Sequence, residues 1–454
     1  MEPALTGSGA STLARSADGE FANRMEDGLK MVGITRPAWT GLLSLGAAIG
    51  LGAAVPAIPP AAEVSTSGTT ITFTAGPVES NIMQVTNPSG NVVKIADAFP
   101  IPVTETSGSC TQTGYSVVQC DLGPLSGVRV NLDLGGGSDI AETDSTNIPI
   151  FAHGGAGVDT IVTGDGDDVL YGDEDLDGLR SGGGNDLLDG GSALDNMDAG
   201  PGNDTLTYEG RAAGVDVDLS DGLDQDGNAD DGSGDIIAGV ENVIGTDHDD
   251  SIVGTSDDNE ITGLGGGDDL DGGDGTDTIS YRDHTSAVTV DLTQSGPVQG
   301  GPEDGTAGAR DESTGFEYIV GGGGGDVLTG DSAGNLIQGG DGEDEIHGGP
   351  GDDLLDGSSG EDRLSGDQGP DRLYGFDGSD ALDGGAGDDT TMGGAGDDAL
   401  SGGADTDTVS FEGSPAGVTA TLAGGTATGE GSDTLSGFER LVGSDHDDTI
   451  TGDG

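Results

Sequence analysis

From residue 154 onward, large apolar residues recur at every ninth position. Ile161, Leu170, Leu179, Leu188, Met197 and Leu206 each stand between two flanking residues that lie beside short glycine-rich stretches. A three-residue segment with one apolar centre reads as a short strand, its central side chain on one face and its neighbours on the other. The six residues between such segments are too glycine-rich for helix or strand, and they predict a turn. Each nonapeptide is thus one turn and one strand, and two nonapeptides make one coil. Apolar side chains from the two strand faces of a coil meet in a thin core.

The pattern divides the chain. Nonapeptide arrays occupy residues 135–207, 245–280 and 321–410, and another opens at 443–454. Three spacers, 208–244, 281–320 and 411–442, separate them. Each spacer starts with an aromatic residue: Tyr208, Tyr281 or Phe411. An alternating segment such as Val215-Asp216-Val217-Asp218-Leu219 follows, and the close is Val240-Glu241-Asn242-Val243-Ile244 or its equivalent. These read as strand pairs that extend or cap each array. Ahead of the arrays, residues 63–134 follow another rule. Thr70-Ile71-Thr72-Phe73-Thr74 alternates with period two, and Asn87-Pro88-Ser89-Gly90 marks a turn. About five short strands are expected here, as a small β module.

Position six of the nonapeptide carries the chemistry. Its occupants are Asp159, Asp168, Asp177, Asp186, Asp195 and Asp204 in the first array, and Asp250, Asn259, Asp268 and Asp277 in the second. Asp326, Asn335, Asp344, Asp353, Asp362, Asp371, Asp380, Asp389, Asp398 and Asp407 follow in the third, and Asp448 in the last unit. Carboxylates eighteen residues apart fall above one another on successive coils, about 4.8 Å apart. Bare, they repel; a hard dication between coils reverses the sign. Calcium fits, because it takes six to eight oxygens and accepts backbone carbonyls. The glycine turns offer such carbonyls, among them Gly155, Gly157, Gly164, Gly166, Gly340, Gly342, Gly349, Gly351, Gly385, Gly387, Gly394 and Gly396. Zinc or copper would call for His or Cys, and the five histidines are scattered. Asn259 and Asn335 keep an oxygen and lose the charge.

Composition sharpens this picture. The 454 residues include 85 Asp+Glu against 13 Lys+Arg, a net charge of −72, and 92 glycines. Nucleic acid is excluded as a partner, because neutralising phosphates takes Lys and Arg. A chain so acidic and so poor in apolar residues cannot offset its own entropy without a counter-cation. A rival reading, acidity as salt adaptation, predicts charge spread over surfaces; here it is concentrated at fixed repeat positions.

The unit G-G-x-G-x-D-x-U-x, kept in register over twenty-one copies, resembles the RTX, or haemolysin-type, calcium-binding nonapeptide family. Repeats of that family wind into a parallel β-helix with calcium in its turns. The resemblance covers most of residues 135–454 and implies an all-β fold of parallel β-roll solenoids. It implies that Asp159 shares a calcium ion with Asp177, Asp168 with Asp186, and so on, for roughly fourteen ions if every pair closes. It also implies calcium-dependent folding and a secreted or surface location. One departure stands out: the chain closes at Gly452-Asp453-Gly454, the opening of another nonapeptide, without the C-terminal export tail common in the family.

The N-terminal 62 residues point to export. Lys30 and Arg36 precede an apolar run from Trp39 to Val55, and Val55-Pro56-Ala57 offers a small-x-small exit. An uncleaved anchor is the alternative. Met25 and Met31 are alternative starts. In an exported chain, Cys110 and Cys120 are expected to form one disulfide. Two signals look catalytic or metal-binding in their own right. Gly330-Asp331-Ser332-Ala333-Gly334 matches a nucleophile elbow, but that motif needs a strand–turn–helix setting and here lies in nonapeptide register. Asp173-Glu174-Asp175-Leu176-Asp177-Gly178 imitates the start of an EF-hand loop, with Gly184 where its closing Glu belongs. The sequence therefore predicts a non-enzymatic, secreted calcium-binding protein with a structural or surface role. Two alternatives accompany it: an adhesion or matrix module meeting a cell-surface, matrix or carbohydrate partner through the spacers, and an accessory part of a secreted hydrolase.

Overall fold

The computed structural model describes residues 63–67, 70–75, 82–86, 92–97, 110–112 and 117–121. It also describes 128–452, except short gaps at 144–146, 221–226, 229–233, 295–298 and 305–309. All belong to the unit Pro59–Gly454. The export segment expected in residues 1–62 lies outside the described residues. Among those described there is no helix, and so none long and apolar enough to cross a membrane.

The chain winds as a parallel β-roll. Strand Thr160–Val162 pairs in parallel with Gly178–Arg180, placing Ile161 beside Leu179. On the opposite face Val169–Glu174 pairs with Leu187–Asp189, placing Leu170 beside Leu188. From Ile150 onward, strands paired within an array join residues eighteen apart, as in these two pairs, so two nonapeptides do make one coil. The apolar residue of each strand points inward: Ile161, Leu170, Leu188, Met197, Ile261, Ile337, Leu355 and Leu373 have no exposed surface. Two core positions depart from this, Ser313 and Thr391, buried with hydroxyls that lack a hydrogen-bond partner.

The two faces of the roll differ. Among the described residues one face is a single sheet of 17 strands running past all three spacers, while the other is divided into sheets of 9, 5 and 10 strands. The first two spacers cause the division, and each of the three sends its first strand forward and a later strand back. Val215–Asp218 pairs with Ser251–Val253 of the array that follows, whereas Ile236–Ala238 pairs with Asn196–Asp198 of the array before. The second spacer repeats this with Thr289–Asp291 and Glu312–Thr314, and the third with Thr419–Thr421 and Ser432–Ser436. In the third spacer Thr426–Thr428 pairs antiparallel with both strands and keeps them in one sheet. Isolated antiparallel bridges lie in the second, and in the first Val215–Asp218 pairs antiparallel with Gly227–Asn228. A closing strand, Asn242–Thr246, Tyr318–Val320 or Arg440–Val442, then rejoins the continuous sheet.

The strands before residue 134 extend the sheets of the roll. Thr70–Thr74 pairs in parallel with Arg129–Asp133, which pairs with Ile150–Ala156 of the roll. Ile82–Thr86 likewise pairs in parallel with Ile140–Thr143. Ile71, Phe73, Met83 and Val85 are buried in the same core as the repeats. The open end of a stacked roll offers unpaired backbone groups, and these strands cover it.

Candidate metal centre

Position-six side chains form ladders along the turns. Each Asp extends one oxygen to the preceding coil: the backbone N–H of Asp159 donates to Asp177 Oδ1 at 2.7 Å, and that of Asp371 to Asp389 Oδ1 at 2.9 Å. The expected pairs eighteen residues apart are thus in direct contact, through backbone N–H and carboxylate.

The second oxygen is the chemically unsatisfied one. In fifteen of the twenty-one position-six residues Oδ2 is buried without a hydrogen-bond partner: Asp159, Asp168, Asp177, Asp186, Asp204, Asp268, Asp277, Asp344, Asp353, Asp362, Asp371, Asp380, Asp389, Asp398 and Asp407. Beside each cradle lies the position-one residue of the same unit. A methyl carbon built on Gly384 would sit 2.5 Å from Asp389 Oδ2 and 2.5 Å from the carbonyl oxygen of Gly402 on the next coil. On Gly375 the corresponding distances are 2.4 Å to Asp380 Oδ2 and 2.5 Å to the Gly393 carbonyl. A carboxylate oxygen and a backbone carbonyl oxygen thus converge beside position one, the kind of all-oxygen donor set that calcium accepts. Among the described residues no three His, Cys, Asp or Glu side chains gather around one point, and the cradle explains why: carboxylate supplies one part and backbone the other.

Electrostatics without a cation are adverse. Burial, reinforced by neighbouring carboxylates, pushes Asp177 and Asp268 up to about 9. Burial likewise pushes Asp159, Asp168, Asp371 and Asp380 up to about 7, although the backbone hydrogen bonds pull the other way. An unsatisfied buried polar group costs about 1–3 kcal/mol. Fifteen of them, even at the low end, match the upper end of the roughly 5–15 kcal/mol that holds a typical domain.

Five other position-six residues are already satisfied. Oδ2 of Asp250, Asp326 and Asp448 accepts the backbone N–H of Thr246, Gly322 and Ser444, at 2.6, 2.8 and 2.9 Å. Oδ1 of Asn259 and Asn335 accepts the N–H of Thr255 and Asp331. These five open the arrays that follow a spacer. Both asparagines also donate their amide N–H to a spacer carbonyl, Asn259 to Glu241 and Asn335 to Glu317. An aspartate could not donate there, so the amide sets these two positions apart from the aspartates of the ladders.

Of the glycine carbonyls read from the sequence, those of Gly164, Gly342, Gly351, Gly385 and Gly396 point along the roll at the residue above in the stack. Gly349 O accepts the N–H of Gln368 at 3.0 Å. The carbonyls that face the orphaned oxygens belong instead to position one, which sequence reasoning passed over.

Several further carboxylates join the ladders. Asp139 is a position-six residue in an irregular unit: it is buried, and Asp159 Oδ1 accepts its N–H at 2.7 Å. The spacers end the ladders with an Asp and a Glu. Asp195, Asp268 and Asp398 donate their N–H to Asp235, Asp311 and Asp433. Asp204, Asp277 and Asp407 donate to Glu241, Glu317 and Glu439. At two of these ends a phenol takes the outer oxygen, Tyr208 on Asp235 at 3.2 Å and Tyr281 on Asp311 at 2.8 Å. The second spacer also buries His284, with Nε2 2.6 Å from Asp304 and Nδ1 3.1 Å from Asp283. Burial alone would lower its pKa, but the contacts with Asp283 and Asp304 outweigh it and carry it up to about 10.

The two look-alike motifs resolve as turns of the roll. Ser332 is exposed in the turn between strands Val327–Thr329 and Leu336–Asp341, with no helix after it. Asp173 and Asp175 stand at glycine positions and adopt glycine's left-handed backbone, φ 76° and 71°. Asp173 then points outward to His153 Nδ1 at 3.1 Å.

The two classes of position six predict different responses. Asp380→Asn, which weakens an unsatisfied cradle, is expected to raise the calcium midpoint roughly tenfold, about 1.4 kcal/mol. Asp326→Asn, at a satisfied position, is expected to stay within about twofold. Calcium titration of both variants by calorimetry checks this, and equal shifts would refute the division.

A family model described as RTX calcium-binding nonapeptide repeat (4 copies) matches residues 153–188, 177–206, 244–279, 320–355, 356–391 and 392–413. No curated protein matches the chain.

Proposed function

Because the arrays are RTX calcium-binding nonapeptide repeats folded as a β-roll, we propose that the protein is an exported, non-catalytic scaffold that calcium sets into shape. The observation that carries this reading is the set of fifteen buried Asp oxygens without a protein partner. Asp159 to Asp186, Asp204, Asp268, Asp277 and Asp344 to Asp407 would hold the ions, with position-one carbonyls completing each cradle. Bound calcium supplies the positive charge that these carboxylates lack. Because the ligands are assembled only in the fold, binding energy becomes folding energy. Extracellular sites of this type work at about 10⁻⁴–10⁻³ M calcium, so the chain would stay loose inside a cell and set outside it.

Export is supported by the charged, apolar and small-residue order of residues 30–57. A Cys110–Cys120 disulfide belongs to the same reading. Strand Cys110–Gln112 pairs antiparallel with Val117–Asp121, and the register sets Cys110 opposite Cys120. Opposite residues in such a pair are about 4.5–5.5 Å apart at Cα, within disulfide range. Intact mass before and after reduction tests the bond. The functional reading is tested by counting bound calcium on the full chain by equilibrium dialysis. More than about ten ions per chain are expected, and a count of two or fewer would sink it.

A further inference from the structure

We propose that the three spacers are metal-independent joints, which keep their fold without calcium and seed the arrays beside them. The inference rests on the reading that the arrays themselves need calcium. Its basis is where the protein satisfies its own charges. In the arrays the outer Asp oxygens are orphaned; at the joints protein donors reach them. Tyr208 and Tyr281 bind Asp235 and Asp311, and the turn N–H groups of Thr246, Gly322 and Ser444 bind Asp250, Asp326 and Asp448. The amides of Asn259 and Asn335 take the carbonyls of Glu241 and Glu317. His284 is seated between Asp283 and Asp304, where it supplies a buried cation.

The turns at the joints differ as well. From Ile237 to Val243 the step between core positions is six residues rather than nine, and the same holds from Ser313 to Ile319 and from Leu435 to Leu441. The short turn keeps one glycine, Gly239, Gly315 or Gly437, each at positive φ, and omits most of the cradle. The core is thickest here too. Beyond residue 128, the buried aromatic side chains among the described residues are Tyr208, Tyr281, Phe316, Phe411 and Phe438, and all five are spacer residues. Aromatic burial gives far more apolar contact than the single Leu or Ile of an array strand. Stability is then uneven along the roll, with local unfolding confined to the segments lacking their cation.

Hydrogen–deuterium exchange of the full chain, followed by mass spectrometry in calcium and in chelator, tests this. In chelator, segments 208–219, 236–253, 281–294 and 310–329 are expected to remain protected while 336–404 exchanges like an unfolded chain. Joints exchanging as fast as 336–404 would overturn the proposal. Protection of the whole chain would overturn it too, by removing the calcium dependence on which it rests. A second readout is the double variant Tyr281→Phe, His284→Gln. It should lower chelator-state protection of 281–329 by roughly tenfold, leave the calcium state unchanged, and spare the first joint. Unaltered protection of 281–329 in chelator would count against these side chains as the substitute for metal.

Discussion

In chelator, the roll is expected to gain β-structure as the pH falls from about 8 to about 5. The buried aspartates drive this. Burial holds Asp177 and Asp268 up at about 9, and Asp159, Asp168, Asp371 and Asp380 at about 7; an unfolded aspartate titrates near 3.9. The metal-free native state therefore holds more protons than the unfolded chain between about pH 4 and pH 9. Stability falls with rising pH wherever the native state binds more protons. These groups thus oppose folding most strongly above pH 9, and the penalty fades as pH falls toward 4. A proton does part of the cation's work by neutralising the stacked carboxylates. In saturating calcium the dependence reverses over the acid limb, because protonation then competes with the metal. Far-UV circular dichroism against pH in chelator and in calcium checks both limbs, with sedimentation to confirm a monodisperse sample. A chelator-state signal flat in pH, or richer in β at alkaline pH, would mean the aspartates do not control folding.

Replacing Gly369 with alanine is expected to be among the most damaging single changes, and replacing Gly413 mild by comparison. Both glycines take left-handed backbone, with φ 128° and 93°, so both carry a conformational cost of about 1–3 kcal/mol on gaining a side chain. They differ in what the side chain meets. At Gly369 the new carbon would fall 1.4 Å from the Gly351 carbonyl oxygen on the coil below, a backbone atom fixed by the stacking. At Gly413 it meets nothing within 4 Å. Gly369→Ala must pry two coils apart inside the third array, and a loss above about 4 kcal/mol is expected. Thermal unfolding in saturating calcium separates the two variants, and comparable losses would show that close coil stacking is not what demands glycine.

The arrays were legible because their chemistry repeats at a fixed interval. Position eight gave the core from Ile161 to Val409, and position six gave the ladders from Asp159 to Asp407, since each side chain's neighbour in space lies eighteen residues away. Legibility failed where that interval breaks. Asp139 precedes its partner Asp159 by twenty residues, in a unit with Leu134 at position one and Ala141 at position eight, and the nine-residue count passes over it. Asp235 and Asp311 meet residues 40 and 43 positions earlier in sequence. A signal for them was present all the same: Asp235, Asp311 and Asp433 are each followed four residues on by glycine and six residues on by Glu241, Glu317 and Glu439. Comparing the spacers with one another, rather than with the arrays, exposes that template. Apart from Asp168, whose position-two Gly164 lies outside the left-handed region, the split between orphaned and satisfied aspartates follows the backbone at position two. Left-handed Leu264, Ser358 and Phe376 leave the outer oxygen of their units free, whereas Thr246 and Thr255, outside that region, turn their N–H inward. Residue type alone does not fix that torsion, so the sequence could not divide the sites.

The most direct test of calcium-driven folding is a calcium titration of the full chain, followed by far-UV circular dichroism, with magnesium as the control. A cooperative gain of β-structure with calcium, and little or none with magnesium at the same concentration, is the predicted result, because magnesium holds its waters too firmly for a cradle built of carboxylate and carbonyl. A chain already fully folded in chelator at neutral pH, or one that folds equally well in magnesium, would contradict it.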